Sequence, residues 1–141
     1  MEQNERTQIT VEATVNSPVE GLWLLWSQPE HITQWNQASE DWHTPYAEND
    51  LRTGGKFKST MAAKDGSLSF DFEGVYTNVE ENSLIEYEMA DGRGVKVTFV
   101  DEGESTRIIE TFDAEDTNSI DMQRNGWQAI LDNFKRYAEL R

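Results

Sequence analysis

The histidines and cysteines of a sequence are the first candidates for metal or thiol chemistry, and this sequence offers little of either. The two histidines, His31 and His43, have no second histidine or carboxylate at a metal-ligand spacing, and the chain has no cysteine. The lack of cysteine excludes zinc-thiolate sites, thiol catalysis and disulfides. We therefore expect no metal and no cofactor, and we expect His31 to lie on the surface of a helix.

Paired carboxylates and paired glycines are also weak signals for chemistry. Glu40-Asp41 and Glu80-Glu81 are adjacent in sequence, so their side chains point apart, whereas the carboxylates of a hydrolytic pair face each other across ~5–9 Å. Gly54-Gly55 lacks the Lys-Ser/Thr that follows in a phosphate-binding loop. We interpret these segments as solvated turns and a backbone bend, and no catalytic residue is assigned.

The strongest signal for function is a set of large apolar side chains on predicted strands and on the last helix. These residues fill a core or line a small-molecule cavity, and the set exceeds what one helix can cover, which favours a cavity. The candidate ligand-binding residues are Trp35, Trp42, Phe57, Met61, Phe70, Phe72, Tyr87, Phe99, Trp127, Ile130 and Phe134. Three arginines are polar candidates for orienting a ligand, namely Arg52, Arg93 and Arg107.

The apolar period predicts the elements that must position these side chains. Period-two alternation predicts a first strand at 9–15, a short strand interrupted by Pro45 within 41–47, and five further strands. The further strands are predicted at 56–63, from about 68, at 84–89, at 95–100 and at 107–112. Sharp Asp-Gly turns separate several of them, which is typical of hairpins.

Helix signals surround this run of strands. Ser17, Pro18 and Glu20 match a Ser-x-x-Glu capping box that would begin the first helix, and Pro29 begins a second. From about Ser119 the apolar period changes to near 3.6, which predicts a final helix of about twenty residues.

These elements predict an α+β helix-grip arrangement. A curved antiparallel sheet of six to seven strands should wrap round the long C-terminal helix, because that helix alone can cover one face of the sheet. Two short helices after the first strand would close one end. We expect a single domain over residues 1–141, with its core at about 7–140.

A glycine inside the last helix gives a sharper expectation. An interior glycine is less stable than alanine by ~1 kcal/mol. Gly126 is therefore expected to let the helix approach the sheet or a ligand closely, while Trp127 projects toward the cavity mouth or the short helices. Simple core packing of Trp127 is the alternative.

Charge and composition limit the possible partners. The 141 residues carry 27 acidic and 12 basic side chains, a formal net charge of −15. Such a charge repels phosphate backbones and anionic surfaces, so nucleic acid is an unfavourable partner. The N-terminus shows no basic region followed by an apolar run, and no apolar run reaches membrane-spanning length. We expect a soluble, cytoplasmic protein without membrane insertion.

Five segments resemble a known superfamily. They are residues 10–23 (TVEATVNSPVEGLW), 29–35 (PEHITQW), 50–57 (DLRTGGKF), 72–76 (FEGVY) and 125–134 (NGWQAILDNF). Together they resemble the SRPBCC (START-like, Bet v-like) superfamily and, within it, the C-terminal domain of the activator of heat-shock protein 90 ATPase, over about residues 7–140. The resemblance implies a helix-grip fold that encloses a pocket for apolar or polycyclic ligands. Members include lipid carriers, polyketide cyclases, resistance proteins and chaperone cofactors.

Three hypotheses for function follow. The leading one is non-enzymatic binding of a hydrophobic small molecule, lipid-like or polycyclic aromatic, between sheet and terminal helix. The second is a chaperone-associated stress-response factor that binds heat-shock protein 90. The third is a polyketide cyclase or dehydratase, with Arg52 or Tyr87 as the proton donor.

Overall fold

A seven-stranded antiparallel sheet is the frame of the molecule in the computed structural model, which describes residues 7–141. The spatial order is β1-β7-β6-β5-β4-β3-β2. The expectation that the first residues carry no targeting segment falls outside the described range. In chain order, the strands are β1 (Gln8–Val15), β2 (Trp42–Asn49), β3 (Lys56–Ala63), β4 (Ser69–Glu80), β5 (Leu84–Met89), β6 (Gly94–Asp101) and β7 (Thr106–Asp113).

Three helices complete the helix-grip fold, and they confirm the predicted fold class. Two short helices, α1 (Val19–Ser27) and α2 (Pro29–Trp35), follow β1, and the long helix α3 (Ile120–Glu139) ends the chain. Ser119 begins α3 as its N-cap, because its Oγ accepts a hydrogen bond from the Met122 N–H at 3.1 Å. The change of period at Ser119 therefore predicted the start of α3 correctly.

The predicted capping box at Ser17 is wrong. Helix α1 begins at Val19, and Pro18 occupies the N-cap position with an extended backbone (ψ 152°) and no side-chain cap. The backbone of Ser17 is used elsewhere, since its N–H donates to the Val15 carbonyl at 2.8 Å and its carbonyl accepts from Thr106 Oγ1 at 2.9 Å. Because Pro18 stays extended, the helix starts one residue later than a Ser17 cap requires.

The core lies between the concave face of β1, β6 and β7 and the C-terminal half of α3. Period-two alternation directs Ile108 and Phe112 of β7 inward, where both are fully buried. Leu131 and Phe134 of α3 are also fully buried there. Burial of each such side chain contributes roughly 1.5–3 kcal/mol, so this end of the sheet holds α3 in place.

Both edges of the sheet carry a distinct feature. On β2 the pairing with β3 shifts register between His43 and Tyr46, at Pro45, which fits the predicted interruption. On β1, side chains of α3 bind the backbone: Gln128 Nε2 donates to the Glu12 carbonyl at 3.1 Å and Lys135 Nζ to the Thr14 carbonyl at 2.7 Å. The N–H of Asn16, just past β1, donates to Glu139 Oε2 at 2.9 Å.

Two of the predicted hairpin turns place glycine where only glycine is unstrained. Gly66 between β3 and β4 has a φ of 80°, and Gly92 between β5 and β6 has a φ of 90°. These turns fix the register of the strands on either side. As a result, alternate residues of β3, of β5 and of β4 as far as Tyr76 point to the concave face, and the pairing of β4 with β5 shifts register between Tyr76 and Asn78.

Candidate functional site

A cavity of about 430 Å³ separates the N-terminal half of α3 from the concave face of the sheet. Its walls come from β2 to β5, from β7 and from all three helices. This volume lies within the usual range of small-molecule sites. Among the strands, α3 packs chiefly against β1, so the interior between α3 and β2 to β5 remains open.

Most of the predicted apolar site residues line this cavity. Those on strands lie on the inward faces of the strands, and those on helices come from α2 and α3, which pack against each other. The predicted residues that line the cavity are Trp35, Trp42, Phe57, Met61, Phe70, Phe72, Tyr87, Trp127 and Ile130. Whether they bind a ligand stays a prediction.

Phe99 and Phe134 lie in the packed core instead of the cavity lining. Phe134 is fully buried and meets Trp26 and Trp35 edge-on, with ring centroids 4.9 and 4.8 Å apart. Phe99 packs edge-on against Trp23 and Trp26 at 5.3 and 5.5 Å. These rings form an aromatic cluster that separates the cavity from the core end, because α1 brings two tryptophans between the sheet and α3.

Of the three candidate arginines, Arg93 alone lines the cavity. Its Nε donates to Asp91 Oδ2 at 2.7 Å, and its side chain is mostly buried. Arg52 and Arg107 lie outside the lining: Arg52 is exposed and pairs with Asp50 at 3.0 Å, and Arg107 pairs with Glu12 at 3.8 Å on the outer face. The hypothesis that Arg52 donates a proton inside the pocket therefore has no support from its position.

Glu110 is a cavity-lining residue that the sequence analysis missed. It sits on β7 between Ile108 and Phe112 and faces the same side of the sheet. The residue is 6% exposed, and burial raises the pKa of its carboxyl to about 8. Within residues 7–141, no group donates a hydrogen bond to this carboxyl. The alternation Ile108, Glu110, Phe112 was the available signal, because it places a carboxyl on an apolar face.

Two tyrosines face the same cavity. Burial raises the pKa of Tyr87 well above its usual value, and the nearby charge of Glu110 raises it further. Burial also raises the pKa of Tyr76, whose hydroxyl donates to Asn49 Oδ1 at 2.5 Å. The Tyr87 hydroxyl has no such partner within the described residues. Both phenols are therefore neutral hydrogen-bond donors at physiological pH.

Aromatic rings of the cavity walls pack against one another. Phe57 contacts Phe72, Tyr76 and Tyr87, with ring centroids 5.6, 5.2 and 4.7 Å apart. Trp127 stacks on Phe112, with centroids 3.9 Å apart and an interplanar angle of 12°. Each such contact adds roughly 0.5–1.5 kcal/mol beyond area burial. Trp127 is thus both packed against the sheet and exposed on one side to the cavity.

Gly126 faces open space within the cavity. A Cβ built on Gly126 would meet no atom within 4 Å, and the residue lines the cavity. The expectation that the helix approaches the sheet closely at this residue is therefore wrong. The glycine instead leaves room beside the aromatic wall.

Polar contacts hold the helices in place at both ends of α3. His31, expected on the surface of a helix, is half-buried on α2, where its Nδ1 lies 2.6 Å from the Tyr137 hydroxyl and connects α2 to α3. At the other end of α3, the Gln123 amide bonds the backbone of Glu115 and Asn118. The cavity is therefore built between anchored elements.

Two negative observations apply to residues 7–141. No group of three or more histidine or acidic side chains gathers as metal ligands would. None of the helices described is long and apolar enough to cross a membrane.

The fold and the cavity define a class of protein, the helix-grip proteins of the SRPBCC superfamily. Residues 16–139 match the family model of the activator of Hsp90 ATPase homolog 1-like proteins. The chain therefore belongs to this AHSA1-like family. No curated protein matches the chain.

Solved structures agree with this assignment. The AHSA1-like protein from Aeromonas hydrophila is 47% identical, with a TM-score of 0.89 over 95% of this chain and 93% of that one. Chr148 from Cytophaga hutchinsonii is 54% identical, with a TM-score of 0.82 over 94% of this chain and 92% of that one. NE0264 from Nitrosomonas europaea is 15% identical, with a TM-score of 0.80 and 94% of each chain covered, and shows the shared fold alone.

Proposed function

We propose that the chain binds an apolar small molecule, lipid-like or polycyclic aromatic, in the cavity between the sheet and α3. The observation that carries this proposal is the open volume of about 430 Å³ beside a largely aromatic wall. Protein interiors are close-packed, and an apolar volume of this size forfeits packing energy unless something occupies it. A ligand recovers that energy.

The lining agrees with such a ligand. Its surface is mainly aromatic and aliphatic, and a few polar side chains such as Glu110 and Tyr87 interrupt it. Small-molecule sites are commonly built this way, with apolar walls for affinity and few polar groups for orientation. Phe70 and Met122 are exposed and lie at the edge of the cavity, where a ligand could enter.

A ligand screen by NMR tests this proposal. Titration with fatty acids, sterols and polycyclic aromatics should shift amide resonances within 57–99 and 119–134 and raise the melting temperature. A ligand at a hundred times its Kd stabilises the folded state by ~2.7 kcal/mol. No shift in these segments with any compound would contradict the proposal.

A blocking variant makes the test specific. Gly126→Leu should fill the space beside the glycine and abolish binding while the fold is retained. Asn125→Leu is the matched control, because Asn125 is exposed on the same helix. Equal loss of binding in both variants would contradict a site beside Gly126.

A second candidate function is binding to heat-shock protein 90, and the family's description supports it. Exposed apolar side chains at Leu68, Phe70 and Met122 could contribute to such a contact. A pull-down with the organism's own heat-shock protein 90, together with an ATPase assay, tests this role. No complex and unchanged turnover would remove it.

A further inference from the structure

Two polar side chains in the cavity wall lack hydrogen-bond partners within residues 7–141. They are the Glu110 carboxyl and the Tyr87 hydroxyl. A polar group in an apolar wall gains free energy when it finds a hydrogen-bond partner. Because both groups line the cavity, a partner can reach them only from within it.

The sheet register brings these two groups to one region of the concave face. Tyr87 on β5 lies opposite Val95 of β6, and Glu110 on β7 lies opposite Val97, so a single strand separates them. Val95 and Val97 are buried apolar residues, so the two polar groups stand out from an apolar surface.

We propose that Glu110 and Tyr87 form a pair of hydrogen-bond donors that selects apolar ligands carrying a carbonyl oxygen. This inference rests on the proposed ligand-binding function. A carboxylic acid kept neutral by an apolar site donates a hydrogen bond, as a phenol does, and both donors suit an oxygen that only accepts.

The charged and titratable groups around Glu110 support a neutral carboxyl. Tyr76 from β4 and Tyr87 from β5 face the cavity as neutral phenols, and the inward residues of β1 and β6 carry no charge. Arg93, in the turn before β6, is already paired with Asp91. Across the lining of the described chain, α3 contributes only uncharged residues.

The same surroundings argue against an anionic ligand. Glu48 and Glu115 also line the cavity, so a ligand carboxylate would meet acidic side chains on several sides. The protein as a whole carries a formal charge of −15, which repels anions before they bind. A neutral ketone avoids both penalties.

Three matched probes test the inference by equilibrium dialysis. They are a naphthyl methyl ketone, the ethylnaphthalene of the same shape that lacks the oxygen, and a naphthylethylammonium cation. At neutral pH the ketone should bind about ten-fold more tightly than ethylnaphthalene, because only the ketone pairs the two donors. Its affinity should fall as pH rises past about 8, where Glu110 ionises and ceases to donate.

Variants distinguish hydrogen bonding by Glu110 and Tyr87 from simple packing of their side chains against the ligand. Tyr87→Phe and Glu110→Leu should each reduce the ketone preference several-fold while ethylnaphthalene binding is retained. Glu110→Gln keeps an N–H donor of similar size that does not titrate, so ketone binding should persist and lose its pH dependence. This conservative variant keeps the inference testable even if Glu110→Leu alters the fold.

The outcomes distinguish this inference from the proposed function on which it rests. Ethylnaphthalene binding with no preference for the ketone, or a preference that survives both Tyr87→Phe and Glu110→Leu, would overturn the donor pair and leave the cavity function intact. Tightest binding by the ammonium, increasing above about pH 8, would overturn it in favour of a cation site at Glu110. Failure of all three probes, and of every compound in the wider screen, would remove the proposed function itself.

Discussion

The two halves of α3 face the same sheet yet have different surroundings. In the C-terminal half, Leu131 and Phe134 are fully buried against β1 and the aromatic cluster. In the N-terminal half, Met122 is 63% exposed and Gly126 faces open space. One helix therefore serves as a core element at one end and as a cavity wall at the other. Burial in the C-terminal half therefore provides most of the free energy that holds α3 on the sheet, and the N-terminal half contributes less.

The largest expected effect comes from truncating the packed half. Phe134→Ala should lower the free energy of unfolding by about 3–5 kcal/mol, because the ring is fully buried and packs against Trp26 and Trp35. Ile130→Ala, one turn earlier, should cost clearly less, since Ile130 already borders the cavity. Urea denaturation of both variants measures the difference. Equal losses would show that the two halves are packed alike.

The second effect concerns the pH dependence of stability at Glu110. A glutamate ordinarily ionises near pH 4.5, whereas the folded Glu110 does so at a pKa of about 8. The folded state thus binds an extra proton between these values, so stability falls as pH rises through this window and levels off above it. Relative to Glu110→Gln, the wild type should lose ~1.4 kcal/mol per pH unit, or about 2–3 kcal/mol between about pH 5 and 7.

Asp65 and Glu115 also make stability depend on pH, but in a more acidic range than Glu110 does. Hydrogen bonds with Ser67 lower the pKa of Asp65, and hydrogen bonds with Asn118 lower that of Glu115. Their stabilisation is present above their ordinary pKa values and is lost only in acid, in wild type and variant alike. A constant difference between wild type and Glu110→Gln across the window would contradict the raised pKa.

The third effect is at the helix cap of the open half. Because packing holds this half weakly, Ser119→Ala should lower stability by about 1 kcal/mol. Ser17→Ala should change it by less than about 0.5 kcal/mol, since no side-chain hydrogen bond caps α1. Thermal melts of the two variants compare them directly. A larger loss for Ser17→Ala would restore the capping box that the structure lacks.

The smallest effect is a gain. Gly126→Ala should stabilise the protein by about 0.5–1 kcal/mol, because alanine favours helix and its Cβ enters open space. Gly74→Ala on β4 is the control in a crowded place, where the Cβ would lie 2.7 Å from the Glu88 carbonyl oxygen and 2.9 Å from Phe57. That variant should lose stability. Destabilisation by Gly126→Ala would show that other atoms occupy the space beside Gly126, and would contradict the open cavity there.

Local periodicity predicted the fold well, because each strand and α3 bury one face. The alternation along β3 put Phe57 and Met61 on one face, and that along β4 put Phe70 and Phe72 on one face; the structure turns both faces toward the cavity. Periodicity says which residues share a face but not which face is inward or how far away the opposite layer lies. Phe99 and Phe134 could therefore not be separated from the cavity residues in advance, since their burial depends on where α1 inserts its tryptophans.

The missed residue shows a different limit. The carboxylates that stand out in the sequence are the adjacent pairs Glu40-Asp41 and Glu80-Glu81, whereas Glu110 stands alone on an apolar face. The alternation that predicts β7 also shows this carboxyl, because Glu110 occupies an inward position between Ile108 and Phe112. Ser17 is the reverse case, in which a local motif was complete but Pro18 kept an extended backbone and moved the helix start.

The hydrogen bonds from α3 to β1 have a consequence for assembly. As an outer strand of the sheet, β1 presents backbone groups that another extended chain could pair with. Gln128 and Lys135 occupy the carbonyls of Glu12 and Thr14, and Glu139 occupies the N–H of Asn16. These bonds from α3 block edge-to-edge pairing of β1 with another chain. Loss of the last turns of α3 would free the carbonyl of Thr14 and the N–H of Asn16, and should therefore promote intermolecular strand pairing.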